Sequence, residues 1–250
     1  MGRRHYVVTG ASSGIGLAIV HRMLAEGADV TAVSRRPAVV PESVLAENSD
    51  RLRTAVCDLC DFRELDRCMK ALTSGNAILD GVVLCHGYGD FGSLEEFSAE
   101  RIERLVDTNL VSHMLIVRHV IPILKRLGRG DLVFMGSETG IRGRKMGAVY
   151  SATKFAINGF AESLRAECAA GTLRDSGINP GMVYTPFFDD LDFRPADCRD
   201  NFIEPEDVAR IVSTILGMPH GTVIDKVNLT PQKRVVRKKE DDAERTGSGN

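Results

Sequence analysis

The chain has 250 residues, of which 43% are hydrophobic and 26% are charged, and it carries a formal net charge of -2. This composition is typical of a globular protein, and the small net charge disfavours nucleic acid or a membrane as a partner, so a small molecule is the expected ligand. The six cysteines are too few for a dense disulfide framework, and neither an apolar run of ~18 residues nor a signal-like start is present, which predicts a cytoplasmic protein with free thiols.

Short apolar segments rich in β-branched residues alternate along the chain with longer segments of helical periodicity. The predicted strands cover residues 6–9, 29–33, 52–57, 81–85, 132–135 and 222–229. The predicted helices cover residues 15–26, 62–72, 99–127, 150–170 and 205–216. Asp61, with Glu64 at capping-box spacing, and Pro205 mark two of the helix starts. This alternation is typical of βαβ units, and it predicts an α/β fold with a parallel sheet.

A glycine-rich turn connects the first predicted strand to the first predicted helix, with the sequence Thr9-Gly10-Ala11-Ser12-Ser13-Gly14-Ile15-Gly16. Gly10 permits a tight turn, Gly14 lets the backbone approach a pyrophosphate, and Gly16 lets the helix pack close to the sheet. The helix N-terminus adds amide donors and a partial positive charge. The turn therefore predicts a phosphate site, and a turn without a ligand is the alternative.

The second predicted strand is followed by Ser34, Arg35 and Arg36, where an NAD-dependent enzyme usually offers a carboxylate to the ribose hydroxyls. Two guanidinium groups at this point suit the 2′-phosphate of NADP, because arginine makes charge-assisted, often bidentate contacts with phosphate. Two solvated arginines are the alternative. After the third strand, Asp58 and Leu59 are positioned to meet an adenine ring.

Tyr150 and Lys154 lie four residues apart on a predicted helix, so both side chains project from one face. A cation beside a phenol favours the phenolate and suits acid–base catalysis, although a tyrosine packed on a lysine stem is the commoner arrangement at this spacing. Ser137 follows a buried-looking strand, at the edge of the sheet where α/β proteins bind ligands. Its hydroxyl could donate a hydrogen bond to a substrate oxygen, and a turn-initiating serine is the alternative.

Cys57 and Cys60 form a C-x-x-C motif, but a structural zinc needs about four ligands and no second pair is nearby, so no metal site is predicted.

No repeat or interior linker divides residues 1–231, which predicts a single domain. Residues 233–239 are mostly basic and 240–244 mostly acidic, so 232–250 is predicted to be a disordered tail, with a docking segment as the alternative.

In chain order, these motifs resemble the classical short-chain dehydrogenases/reductases (SDRs), over about residues 5 to 230. The resemblance is carried by the glycine turn, Asp58, Asn109, Ser137, Tyr150, Lys154 and the segment Asn179-Pro180-Gly181-Met182-Val183-Tyr184-Thr185. It implies a Rossmann-type, doubly wound parallel sheet of about seven strands in a three-layer α/β/α arrangement. It also implies a catalytic tetrad of Asn109, Ser137, Tyr150 and Lys154. In that family the tyrosine is the general acid–base, the lysine lowers its pKa, the serine orients the carbonyl and the asparagine holds a relay water.

The expected cofactor-binding residues follow the turns at one end of the sheet. They are Gly10, Ser12, Ser13, Gly14, Ile15, Gly16, Ser34, Arg35, Arg36, Asp58, Leu59, Cys85, His86, Gly87, Asn109, Tyr150, Lys154, Pro180, Gly181, Val183 and Thr185.

Three departures from the family pattern stand out. Cys85-His86-Gly87 replaces the usual Asn-Ala-Gly, which keeps the glycine but puts local rigidity in doubt, and His86 is expected to be structural or to face the cofactor. The expected sixth strand, 173–178, carries Asp175 where the family is apolar, so a short or distorted strand is expected. The C-terminus lacks the usual glycine-rich finish.

These observations predict an NADP(H)-dependent oxidoreductase that transfers hydride between the nicotinamide and a carbonyl or alcohol substrate. An NAD(H)-linked alcohol dehydrogenase is the alternative of the same class. The alternative of a different class is a nucleotide-binding sensor or interaction protein that keeps the fold without turnover. In the family, the helices corresponding to 99–127 and 150–170 pair across a two-fold axis, so a homodimer or homotetramer is expected. The segment 186–193 occupies the position of the family's substrate lid, but the substrate is not identified by the sequence.

Overall fold

Helices and strands alternate through the part of the chain that the computed structural model describes, namely residues 3–38, 40, 42–75, 78–168, 171 and 173–239. The strands are β1 His5–Thr9, β2 Asp29–Ser34, β3 Leu52–Val56, β4 Gly81–Leu84, β5 Gly130–Met135, β6 Leu173–Pro180, β7 Phe193–Pro195, β8 Lys226–Leu229 and β9 Val236–Lys238. The helices are α1 Gly14–Ala25, α2 Glu42–Asn48, α3 Phe62–Thr73, α4 Ala99–Val106, α5 Ser112–Leu127, α6 Ala148–Cys168 and α7 Pro205–Gly217.

Seven strands form one sheet in the order β3-β2-β1-β4-β5-β6-β8, and each neighbouring pair is parallel. Successive residues of β1 point to opposite faces, so Val8 joins a core with α1 and α7, whereas Val7 joins a second core with α3, α5 and α6. The central strands β4 and β5 are buried on both faces and are mostly apolar, whereas the edge strands β3 and β8 are partly exposed. The predicted Rossmann-type α/β fold is confirmed. The strand order reverses between β1 and β4, which opens a crevice at the carboxyl ends of these strands.

Local capping explains two of the predicted helix starts. The Asp61 carboxylate accepts hydrogen bonds from the backbone N–H groups of Arg63 (2.9 Å) and Glu64 (3.1 Å) at the start of α3. Pro205 occupies the first position of α7, where its missing N–H costs nothing. No helix in the described part of the chain is both long and apolar enough to cross a membrane.

The helix predicted over 99–127 is interrupted in the structure. A five-residue π-helical stretch, Asp107–Val111, separates α4 from α5 and lies next to the site described below. Helix α2, which follows the second strand, was not predicted from the sequence.

The sixth strand is neither short nor distorted, contrary to the expectation from its charged residues. β6 spans eight residues, and Arg174, only 8% exposed, donates from Nε to Asp131 Oδ1 at 2.6 Å on the neighbouring strand β5. Asp175 points to the other face, where burial raises its pKa to about 6 and the Arg165 guanidinium opposes that rise. Pairing of Arg174 therefore lets a charged sequence complete the strand.

The C-terminal segment also differs from its prediction. Residues 236–238 form β9, which pairs antiparallel with β7. The prediction of a disordered tail from residue 232 is therefore wrong for this segment, because its backbone donors and acceptors are used in strand pairing. The rest of that predicted tail, 240–250, lies outside the described residues.

Candidate active site

A cavity of about 1270 Å³ opens over the carboxyl ends of the central strands. One end of the cavity is lined by the turn after β1 and by the end of β2. The other end is lined by Tyr150 and Lys154 on α6 and by the segment after β6. With the exception of Asn109, every residue predicted to bind cofactor or to act in catalysis lines it. Residues distant in sequence therefore converge on one crevice, as expected for the switch point of such a sheet.

The turn after β1 brings the start of α1 close to the segment that follows β6. Gly14 has a φ of +53°, and a Cβ atom there would lie 3.1 Å from the Cβ atom of Thr185, which strain and crowding both disfavour. Ser13 occupies the N-cap of α1 without a side-chain capping bond. The first amides of α1 are thus not capped by that hydroxyl, and they face a crevice in which an anion could bind.

The end of β2 presents two arginines to the same cavity. Arg35 and Arg36 are both exposed and line it, and the Ser34 hydroxyl donates to the Arg36 carbonyl oxygen at 2.5 Å. Asp58, after β3, accepts a hydrogen bond from the Cys60 backbone N–H at 3.0 Å, which fixes the turn next to Leu59. This end of the cavity therefore combines exposed positive charge with a buried leucine.

Ser137, Tyr150 and Lys154 come together where β5 ends against α6. The Ser137 backbone N–H donates to Asn179 Oδ1 at 3.2 Å, and its hydroxyl oxygen accepts from the Thr139 backbone N–H at 3.2 Å. Lys154 Nζ donates to the Met135 carbonyl oxygen at 3.0 Å and lies 5.7 Å from the centre of the Tyr150 ring. Both Tyr150 and Lys154 are 6% exposed, so their polar groups are presented to the crevice from an otherwise buried setting.

Burial dominates the titration of this pair. It raises the pKa of Tyr150 to about 12, and a hydrogen bond with Ser137 opposes the rise. Burial lowers the pKa of Lys154 to about 8, and the neighbouring Cys85 opposes that fall. The family resemblance implied a lowered pKa for the tyrosine, and in this structure it is raised because loss of solvent outweighs the Ser137 bond. Tyr150 is therefore a protonated phenol at neutral pH.

Asn109 is fully buried in the π-helical stretch and does not line the cavity. Its side chain pairs with the backbone of Tyr88, accepting from the N–H at 3.0 Å and donating to the carbonyl oxygen at 2.9 Å. Gly87 has a φ of +150°, and a Cβ atom there would lie 2.9 Å from Asn109 Oδ1. The glycine retained in Cys85-His86-Gly87 therefore lets the loop after β4 approach this asparagine.

His86 uses its side chain inside the protein. Its Nδ1 lies 2.7 Å from the Thr9 hydroxyl oxygen, and its Nε2 lies 2.7 Å from the Ser112 hydroxyl oxygen. Ser112 donates to the Thr108 carbonyl oxygen, so the His86 Nε2–H donates to Ser112 and Nδ1 accepts from Thr9. The ring also stacks on His113, with centroids 3.9 Å apart. This histidine ties β4 to β1 and α5, and the rigidity that the missing asparagine put in doubt is supplied here by another side chain.

An aromatic wall, which the sequence analysis did not assign, faces Tyr150. It consists of Phe91, Phe187, Phe188 and Phe193. Phe91 and Phe187 approach the Tyr150 ring with centroid distances of 5.2 and 6.1 Å. Three of the four lie in the segment 186–193, but they come together beside Tyr150 only in the folded chain.

The two cysteines of the C-x-x-C motif do not face a common ligand. Cys57 is buried as a free thiol, whereas the Cys60 sulfur lies 2.9 Å from the Thr108 hydroxyl oxygen. Among the described residues, no group of three or more His, Cys, Asp or Glu side chains could hold a metal ion.

Comparison with known proteins assigns this architecture to a family. The family model described as "short chain dehydrogenase" matches residues 4–194. An uncharacterized oxidoreductase of Staphylococcus epidermidis is 29% identical over 229 residues, which is 90% of this chain and 96% of that protein. A 3-dehydrosphinganine reductase of Arabidopsis thaliana is 32% identical over 199 residues, which is 77% of this chain and 59% of that protein.

Solved structures share the fold at lower sequence identity. The alcohol dehydrogenase from the archaeon Thermococcus sibiricus, complexed with 5-hydroxy-NADP, superposes with a TM-score of 0.80 at 22% identity and covers 94% of this chain and 99% of that chain. Actinorhodin polyketide ketoreductase with NADPH has a TM-score of 0.77 at 23% identity and covers 92% of this chain and 96% of that chain. These likenesses extend over nearly the whole of each protein.

Proposed function

This chain belongs to the short-chain dehydrogenase family of oxidoreductases, and we propose that it uses NADP(H) to interconvert a carbonyl compound and an alcohol. The observation that carries the proposal is the meeting of Ser137, Tyr150 and Lys154 in one crevice, where Lys154 Nζ lies 5.7 Å from the centre of the Tyr150 ring. The cavity continues from these residues to the glycine turn and the two arginines, so one elongated ligand could span both ends.

The residues present fit a dinucleotide. The amides at the start of α1, which the Ser13 hydroxyl does not cap, suit the pyrophosphate, and the missing side chain of Gly14 lets the backbone of the turn come close to it. Arg35 and Arg36 suit a 2′-phosphate. The NADP-bound states of two structural neighbours agree with this assignment. When bound, the nicotinamide would supply or accept the hydride.

Tyr150 and Ser137 act on the substrate oxygen in this proposal. During reduction the carbonyl carbon gains the hydride, while Tyr150 breaks its O–H bond and gives the proton to the carbonyl oxygen, which yields the alcohol. Ser137 donates a hydrogen bond to the same oxygen and orients it. A phenol that is protonated at neutral pH is ready to act as the acid. Lys154, anchored to the Met135 carbonyl oxygen, directs its ammonium into the crevice, where a ribose hydroxyl could accept from it.

The family resemblance places Asn109 in the proton relay. Its side chain is paired with the backbone of Tyr88, so in this proposal that side chain also positions the loop after β4.

Turnover distinguishes this function from a nucleotide-binding sensor on the same fold. A sensor needs the glycine turn and the arginines but not Ser137, Tyr150 and Lys154 together. The test is steady-state turnover of a panel of aldehydes, ketones and alcohols with NADP(H) and NAD(H). We expect NADPH oxidation that depends on a carbonyl substrate, and NADPH binding without turnover of any member of the panel would favour the sensor.

The long helices also support self-association. Met114 on α5 and Phe155 on α6 are 36% and 46% exposed, on the two helices that the family uses for pairing. We propose a homodimer or homotetramer built on this face. Light scattering at micromolar concentration should report one of these assemblies, and a monomer would contradict it.

A further inference from the structure

The described C-terminal residues lie against the segment that covers the proposed site. We call residues 233–239 the strap and residues 186–201 the lid. We propose that the strap is part of the substrate site: it holds the lid against Tyr150 and forms an outer wall that limits the size of the carbonyl substrate. This inference rests on the proposed function, and it assigns a role to a basic segment that the function does not otherwise use.

Backbone hydrogen bonds join the strap to the lid along its whole length. β9 pairs with β7 in a register that places Arg237 opposite Arg194. Beyond the strands, the Lys239 N–H donates to the Asp192 carbonyl oxygen at 2.8 Å, and the Lys233 N–H donates to the Asp200 carbonyl oxygen at 2.7 Å. The lid is thus a partner of the C-terminal backbone and not a free loop.

One lysine of the strap fixes the lid where it passes closest to the site. Lys239 Nζ donates to the Phe188 carbonyl oxygen at 2.8 Å and to the Asp189 carbonyl oxygen at 2.6 Å. These carbonyls end the short turn that carries two phenylalanines of the aromatic wall. The ion pairs Lys233–Asp200 (2.9 Å) and Arg237–Asp197 (2.6 Å) are exposed and add little individually, so Lys239 is the specific clamp.

The strap reaches Tyr150 through this wall. Phe193 on β7 contacts Phe91 at 5.1 Å between ring centroids, and Phe91 contacts Tyr150 at 5.2 Å. Val236 and Lys238 of the strap line the cavity themselves. A substrate that places its carbonyl beside Tyr150 must therefore fit its substituents between the ring of Tyr150 and a wall held in place by the strap. The four phenylalanines favour an apolar substituent.

The strap also approaches the residue next to Ser137. Arg234 lies 3.9 Å from Glu138 Oε2, and Arg144 pairs with the other oxygen of the same carboxylate. Glu138 is thus bounded by two guanidinium groups, one from the loop before α6 and one from the strap. The strap therefore contacts the cavity mouth on two sides, at the lid and at Glu138.

The test uses the full-length chain with Lys239→Met, which keeps an unbranched side chain of similar size but removes the ammonium. Lys70→Met is the matched control, because Lys70 forms an exposed ion pair on α3, away from the cavity. Arg237→Pro provides a second variant, since proline cannot donate to the β7–β9 ladder. We expect hydrogen exchange in peptides covering 189–197 to become at least fivefold faster in both strap variants and to stay unchanged in the control.

Substrate selectivity supplies the second readout. In the strap variants the ratio of kcat/KM for a bulky aryl ketone to kcat/KM for a small aldehyde should rise at least fivefold, mainly through KM, while the Kd for NADPH stays within twofold. Unchanged exchange in the lid would overturn the clamp, and faster exchange with an unchanged ratio would overturn the role in substrate size. Absence of any carbonyl turnover in the wild type would instead refute the proposed function, and the lid exchange would still decide whether the strap holds the lid.

Discussion

The His86 ring bridges Thr9 and Ser112, with 2.7 Å from each ring nitrogen to the hydroxyl oxygen of its partner. Burial lowers the pKa of His86 to about 3. The ring therefore stays neutral in the folded protein down to about that pH, whereas the same histidine in the unfolded chain takes up a proton near pH ~6.5. The unfolded state thus binds the extra proton below that pH. The stability that His86 contributes is fully present above pH ~6.5 and is lost as pH falls toward 3.

We predict that this histidine makes the protein sensitive to mild acid. Between pH 7.5 and pH 5.5, the free energy of unfolding should fall by about 1 kcal/mol more in the wild type than in His86→Gln, which cannot titrate. Urea unfolding at several pH values measures this difference. Parallel pH profiles for the wild type and His86→Gln would show that this ring is not the source of the sensitivity.

The buried ion pair between Arg174 and Asp131 gives a second prediction. Arg174→Met leaves the Asp131 carboxylate without the guanidinium that pairs with it on the neighbouring strand, and breaking such a buried pair costs about 3–5 kcal/mol. The double variant Arg174→Met/Asp131→Leu removes both charges and should recover much of the loss. Chemical denaturation at pH 7.5 measures both values. If the free energy of unfolding of the single variant fell by less than about 1 kcal/mol, the Arg174–Asp131 pair would not be needed to complete β6.

The sheet and most of the candidate site were predictable because they depend on local sequence. Fully buried strands are continuous apolar runs, and the glycine turn, Ser137 and the Tyr150–Lys154 spacing each occupy short segments at the ends of those elements. The parallel topology then brings them to one edge of the sheet. Family resemblance added the expected number of strands, which the structure confirms.

The remaining features depend on contacts between distant residues. His86 finds its partners 77 and 26 positions away, and Arg174 pairs with a residue 43 positions earlier. β7 and β9 have three residues each, which is too short for a periodic signal, and β9 looked like part of a charged tail. The π-helical stretch around Asn109 likewise has no distinct sequence pattern. These elements form because partners elsewhere in the fold satisfy their backbone and side chains.

Cofactor preference provides a third prediction. NADPH should bind at least tenfold more tightly than NADH, a margin of about 1.4 kcal/mol that one charge-assisted contact could supply. The double variant Arg35→Ser/Arg36→Ser should lose this margin and leave the Kd for NADH within twofold, because the ribose hydroxyls do not need the guanidiniums. Arg53→Ser is the control, since Arg53 is exposed on β3 and does not line the cavity. Equal dissociation constants for the two cofactors in the wild type would remove the role assigned to the arginines.

In the proposed reaction Tyr150 supplies the proton that accompanies hydride transfer. Tyr150→Phe tests this role most directly, because it removes one hydroxyl and keeps the buried ring. We predict that the single-turnover rate constant for carbonyl reduction falls by at least about a hundredfold, the usual scale of general acid catalysis, while the Kd for NADPH stays within a few-fold. The measurement is single-turnover oxidation of bound NADPH, followed at saturating substrate in the wild type and the variant. Full activity in Tyr150→Phe, with the cofactor still bound, would contradict the assignment of Tyr150 as the acid.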